Sequence, residues 1–158
     1  MESDMKSSYY LIFISLLLLA GCSSHGDASA QSQSNGMAVA KAAFDSAQYE
    51  KAERLYLALL SSDASLEEAQ LMLARTRYQQ DKKQAARDGL QQLLDRAGQQ
   101  APEAANYLGK FLLDDGRTEE AATAYRQGLA LPELTPLARA RLSNGLGVAS
   151  LGQGAFAK

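Results

Sequence analysis

With 158 residues, 46% of them hydrophobic, the chain has the length of one domain and enough apolar material for a core, which must be built mainly of Ala and Leu because aromatics make up only 7% and tryptophan is lacking. Eighteen acidic against sixteen basic residues leave a net charge of −2 and no basic block to neutralise phosphates, which argues against a nucleic-acid binder. A single Cys excludes an intramolecular disulfide.

The first stretch reads as a secretory leader. Lys6 precedes an apolar run over residues 9–20, and Leu19-Ala20-Gly21-Cys22 follows. Those twelve residues are too few to cross a bilayer as a helix, which takes about 20. Glu2 and Asp4 sit badly in a leader, so the natural start is expected at Met5. The Leu-Ala-Gly-Cys ending resembles the bacterial lipobox. That resemblance implies a signal peptide over residues 1–21, acylation of Cys22 and attachment to the membrane through the lipid. In the same class Ser23 implies the outer membrane, with the protein facing the periplasm. Each buried CH₂ of an acyl chain contributes about 0.8 kcal/mol, so more than one chain anchors firmly. Residues 22–35, the lipidated Cys and a Ser-, Gln- and Ala-rich run without periodicity, read as a flexible tether. His25, the only histidine, falls there and has no companion for metal binding or base catalysis.

From residue 36 the pattern turns helical. Residues 37–47 and 49–61 form a first predicted pair, with Val39 at the position where Leu is usual. Ser65-Leu66-Glu67-Glu68 matches a capping box and sets Ser65 ahead of a helix carrying Leu71, Leu73, Ala74 and Tyr78. Its partner carries Ala86, Leu90, Leu93 and Leu94. Pro102 then opens a helix that buries Leu108, Phe111 and Leu112 and breaks at Asp115-Gly116. Thr118, an N-cap residue followed by Glu119 and Glu120, starts a helix with Ala121, Ala122, Tyr125 and Leu129 on one face. Gly109 in mid-helix costs about 1 kcal/mol against Ala, and close contact with that next helix is the reason to keep it. After a longer connection, Thr135-Pro136 reads as N-cap and first-turn proline of a helix over residues 137–151, ending at Gly152-Gln153-Gly154.

These helices repeat. Ala52, Ala86 and Ala121 lie 34 and 35 residues apart, Ala40, Ala74, Gly109 and Gly147 mark the small position of each first helix, and Tyr56, Leu90 and Tyr125 mark a large one. The set Leu108-Gly109, Gly116, Ala121 and Tyr125 at fixed spacing resembles the tetratricopeptide repeat. The resemblance implies an all-α solenoid of antiparallel helix pairs over residues 36–158, with repeats at 36–65, 66–100 and 101–134 and a partial one at 136–158. Repeat two departs furthest, with Asp81-Lys82-Lys83 where a glycine turn is usual. A unit of this kind cannot bury its apolar face alone. The last repeat is half a pair, so a domain running on past Lys158, or another surface covering the open face, is expected.

No motif supports catalysis. Gly145-Leu146-Gly147 lacks the third glycine of a dinucleotide loop, which would fall at Ser150, and no strand precedes it. Ser150 is in no nucleophile elbow, and without a histidine in the folded region a Ser-His-Asp site cannot form. The pairs Asp114-Asp115 and Glu119-Glu120 flank a turn and a helix start, where acids are favoured anyway. Neither metal, cofactor nor small-molecule substrate is expected. The tetratricopeptide resemblance implies instead a concave groove lined by the first helices. One residue beyond the packing position lie Lys41, Arg75 and Lys110, and three further lie Phe44, Tyr78 and Leu113. The spacing puts each pair on one helix face and predicts a basic column beside an apolar one. Short lipoproteins of this layout resemble the TadD-type proteins of tight-adherence (Flp) pilus assembly. They are also similar to the PilF/PilW pilotins that help a secretin assemble, and to NlpI-like adaptors of peptidoglycan enzymes or proteases. The Asn144-Gly145-Leu146-Gly147 run leans toward the first. Protein partners in the cell envelope are implied in every case.

Overall fold

The computed structural model describes residues 24–156. They form helices α1 (Ser24–Asp45), α2 (Tyr49–Ser62), α3 (Glu67–Gln79), α4 (Lys83–Arg96), α5 (Ala101–Asp114), α6 (Thr118–Leu129) and α7 (Pro136–Phe156), and no strand occurs among the described residues. The signal segment and Cys22 lie outside the described residues. Two units are distinguished, residues 1–36 and 37–158. The described part of the first is the start of α1, where Gln31 Nε2 donates to Asn35 one turn on at 3.5 Å. Helix thus begins within the stretch expected to be a flexible tether. Residues 24–35 contain no proline, and their Ala and Gln favour helix as readily as coil.

In the second unit each helix packs on the next in sequence from α2 onward, and first helices also touch one another, α3 on α5 and α5 on α7. This is the tetratricopeptide-repeat solenoid, with α1/α2, α3/α4 and α5/α6 as helix pairs and α7 as the first helix of a fourth. The turn inside each pair is built identically. Ala47, Asp81 and Gly116 take left-handed φ values of 56°, 61° and 74°. At each turn the residue after the left-handed one donates its N–H five residues back: Gln48 to Ala43, Lys82 to Arg77 and Arg117 to Leu112, at 2.8–2.9 Å. That is the Schellman closure, which supplies donors to the last carbonyls of the helix. Asp81 therefore takes the conformation that Gly116 takes, and the degenerate turn of repeat two keeps the geometry without the glycine.

The core follows the repeat. Ala40, Ala52, Ala74, Ala86, Leu108 and Ala121 are buried, and Tyr56 and Tyr125 are the large residues they surround. Tyr125 explains Gly109. A Cβ on Gly109 would collide with the Tyr125 ring, and so would one on Gly145 from α7. The ring fills a slot that two glycines open from opposite neighbours. The expected packing role of Gly147 is corrected accordingly: it is exposed, with nothing within 4 Å of an added Cβ. The connection after α6 sets α7 two residues out of the register extrapolated from earlier repeats. Helix α7 also continues through Gly152 and Gly154 to Phe156, past the expected stop.

The caps were partly misread. Thr135 is an N-cap, accepting from Ala138 N–H at 3.1 Å. The Ser65 capping box does not form: the Ser65 hydroxyl and N–H both donate to Asp63 Oδ1, and α3 starts without a side-chain cap. Glu67, in the first turn, accepts from Gln100 N–H at 2.9 Å ahead of α5. Thr118 likewise gives no cap; its hydroxyl faces Gly116 O at 3.5 Å.

Two stability effects are expected. Gly109→Leu should cost about 1–3 kcal/mol by overpacking Tyr125, and an unchanged thermal midpoint by circular dichroism would contradict the slot. Ala47→Gly should instead raise stability by roughly 0.5–1 kcal/mol, since a left-handed Ala carries a penalty that Gly does not. A lowered midpoint in that variant would show that the turn does not adopt this conformation.

Candidate protein-binding groove

The first helices carry a run of aromatic rings joined by cations. Phe44 at the end of α1 lies edge-on to Tyr49, with centroids 5.6 Å apart. The Arg75 guanidinium, from α3, sits over Phe44 at 5.1 Å and over Tyr107 of α5 at 4.5 Å. Tyr107 stands 6.0 Å from Phe111 one turn on, and Phe111 stacks on Tyr78 of α3 at 3.6 Å with an interplanar angle of 4°. Lys83 Nζ at the start of α4 completes the run, 5.9 Å from the Tyr78 ring centre. Contacts of this kind contribute about 0.5–1.5 kcal/mol each beyond burial and fix the rings in place.

The six residues expected to line a groove fare differently. Phe44, Arg75 and Tyr78 belong to this run, although Tyr78 joins it through Phe111 and not as a free ring. Lys41 is exposed and pairs with Asp45 one turn along its own helix at 2.6 Å. Lys110 is exposed, and Leu113 is half-buried against the core. A single basic column of Lys41, Arg75 and Lys110 is not what the structure presents, because Lys41 folds along its own helix and Arg75 turns in between rings. Tyr107 was missed as a groove residue, its i, i+4 spacing to Phe111 being the available signal, whereas Phe111 is buried in the core as expected and joins the run through its contacts with Tyr107 and Tyr78.

Ion pairs tie successive repeats on the second-helix side. Glu53 of α2 accepts from Arg77 at 3.2 Å and Lys82 at 2.5 Å. Burial pushes its carboxyl up, and the hydrogen bonds from Lys82 and Arg77 more than offset this, leaving it below the usual carboxylate range. One repeat later Arg87 occupies the place of Glu53 with the sign reversed. It pairs with Asp115, which also accepts from Lys83 at 2.8 Å. That Lys83 hydrogen bond is the main reason the Asp115 carboxyl lies below its ordinary value. Lys83 thus belongs both to the groove edge and to the staple between repeats.

The fold is shared with type III secretion chaperones. The chaperone SycD of Yersinia enterocolitica, solved with a peptide of the translocator YopD, superposes with a TM-score of 0.65 at 20% identity, covering 78% of this chain and 95% of that one. SycD in an alternative dimer gives 0.67 at 20% identity over the same shares. A type III secretion complex from Aeromonas hydrophila gives 0.67 at 18% identity, covering 89% of this chain and 97% of that one. At these identities the likeness establishes the fold. No family model and no curated protein matches the chain. Among the described residues no helix is long and apolar enough to cross a membrane, and no group of three or more His, Cys, Asp or Glu is placed to hold a metal ion.

Removing the Asp115 charge should loosen both ends of this arrangement. Asp115→Ala is expected to cost about 1.5–3 kcal/mol, the range for hydrogen bonds to charged groups. Because the folded-state pKa is depressed, the stabilisation is present above the unfolded-state value near 3.9 and is lost as pH falls through the folded value. Midpoints measured from pH 7 down to pH 3 should converge for the variant and the unaltered chain; a constant gap would contradict the pairing.

Proposed function

We propose that the chain is an adaptor of the bacterial cell envelope, anchored to the outer membrane through an acylated Cys22 and facing the periplasm. In this reading it grips protein partners of a pilus or secretion system in the groove of its first helices. The observation that carries the reading is the run Phe44–Arg75–Tyr107–Phe111–Tyr78. It places the part-exposed rings of Phe44, Tyr107 and Tyr78, the last two joined by the buried Phe111, and a fixed cation on consecutive first helices, where a peptide segment lies across them. Aromatic and arginine side chains dominate the energetics of such contacts. The SycD complex supports it by analogy, since that protein was solved holding a peptide of a translocator. The tight-adherence (Flp) system is the assembly we favour, on the resemblance to TadD-type lipoproteins, with a secretin or another component of that system as partner.

Two experiments test the parts separately. Cys22→Ser should accumulate as unprocessed precursor and leave the outer-membrane fraction; normal processing and retention would remove the anchor from the account. Phe44→Ala combined with Tyr107→Ala should weaken partner binding by about 2 kcal/mol or more while the fold persists by circular dichroism. Undiminished affinity in that folded variant would place the docking surface elsewhere.

A further inference from the structure

The cations near the groove differ in one respect. Lys41 is neutralised by Asp45, and Lys83 and Arg87 by Asp115. Arg75 and Lys110 have no carboxylate within ion-pairing distance among the described residues, and of the two only Arg75 is half-buried, Lys110 being exposed. The hydrogen bond of Arg75 runs from Nη1 to the thioether sulfur of Met72 at 3.0 Å, a weak acceptor. Tyr56 lies within its field, yet burial pushes that phenol up to about 12, against the pull of Arg75, so it stays neutral and offers no counter-charge. The guanidinium lies over both the Phe44 and the Tyr107 ring. Such stacking orients the planar group while leaving N–H donors in its plane, the edge that takes a carboxylate bidentately. Asp45 and Glu68 stand near enough to act on Tyr56, but neither reaches Arg75, which is left half-buried without a direct carboxylate partner.

We propose that Arg75 receives the carboxylate of an internal Asp or Glu side chain in the protein segment that fills the groove. This rests on the groove reading above and specifies what that groove selects. Part-exposed aromatic rings continue on both sides of Arg75, with Phe44 and Tyr49 one way and Tyr107 and Tyr78 the other, the last two joined through the buried Phe111. A segment laid along that surface runs past Arg75 and does not end at it, which favours a side-chain carboxylate over a chain terminus. The partner segment therefore carries an acidic residue with apolar or aromatic neighbours on either side.

The test uses the full chain and three sets of fluorescein-labelled dodecapeptides with Leu, Phe and Pro at varied positions. One set is C-amidated with a central Glu, the second has Gln in its place, and the third carries its only carboxylate at a free C-terminus. Binding is read by fluorescence polarisation. The best ligands should come from the first set, and Glu→Gln in them should weaken binding about tenfold, as expected for a hydrogen-bonded charge. Arg75→Gln should erase that difference, and Arg75→Lys should keep part of it. If Arg75→Gln folds poorly, the Glu-against-Gln comparison on the unaltered chain decides. Peptides that bind equally with Glu and Gln would overturn the carboxylate proposal and leave the groove standing. A preference for the third set would overturn it in favour of a terminal carboxylate. Failure of all three sets to bind would overturn the groove reading and this proposal together.

Discussion

The ring of Tyr125 sets the spacing on which the rest of the array depends. It occupies a slot between α5 and α7 that exists because Gly109 and Gly145 have no side chains. Close-packed interiors leave no slack for a methyl group there. Gly128 makes a second close approach, facing Ala105 and Leu142 from α6. With these three positions small, α5, α6 and α7 lie near enough for a core made largely of alanine to exclude water. In such a stack each repeat contacts only its neighbours, so the position of one first helix is inherited by the next. The aromatic run is a consequence of that inheritance: Arg75 reaches both Phe44 and Tyr107 because α3 is held between α1 and α5.

Electrostatics reinforce the same register from the other side of the array. Glu53 and Arg87 stand at equivalent points of successive second helices, and each reaches the turn of the following repeat. The signs alternate, so neighbouring staples do not repel. Lys83 links this system to the groove, with one contact to Asp115 and another to the Tyr78 ring. Charge on the second-helix side therefore has a route to the aromatic stack, and the two cannot be altered independently at that position.

Much of this architecture was legible in the sequence because tetratricopeptide packing is written in small residues at fixed spacing. Ala52, Ala86 and Ala121 needed no structure to be recognised as one position, and the Asp115-Gly116 break and Thr135 cap follow from local chemistry. Legibility failed where one residue type serves two purposes. Gly145 and Gly147 are both small and two apart, and only the position of the Tyr125 ring distinguishes them. Ser65 and Thr118 have the composition of caps, but Asp63 captures the first and the turn geometry turns the second away. In the groove, Lys41, Arg75 and Lys110 share a sequence position without sharing surroundings, since flexible side chains choose partners that spacing does not reveal. Tyr107 escaped notice because a helix with two useful faces shows only one periodicity.

Partner protein is proposed to lie along the first helices and not across the second ones. The most direct measurement is site-specific photocrosslinking in the native host, with a benzoylphenylalanine at Tyr107 in the groove or at Gln127 on the exposed side of α6. A discrete adduct is expected from position 107, abolished by Phe44→Ala, and none from position 127. An adduct formed from position 127 and absent from position 107 would contradict it.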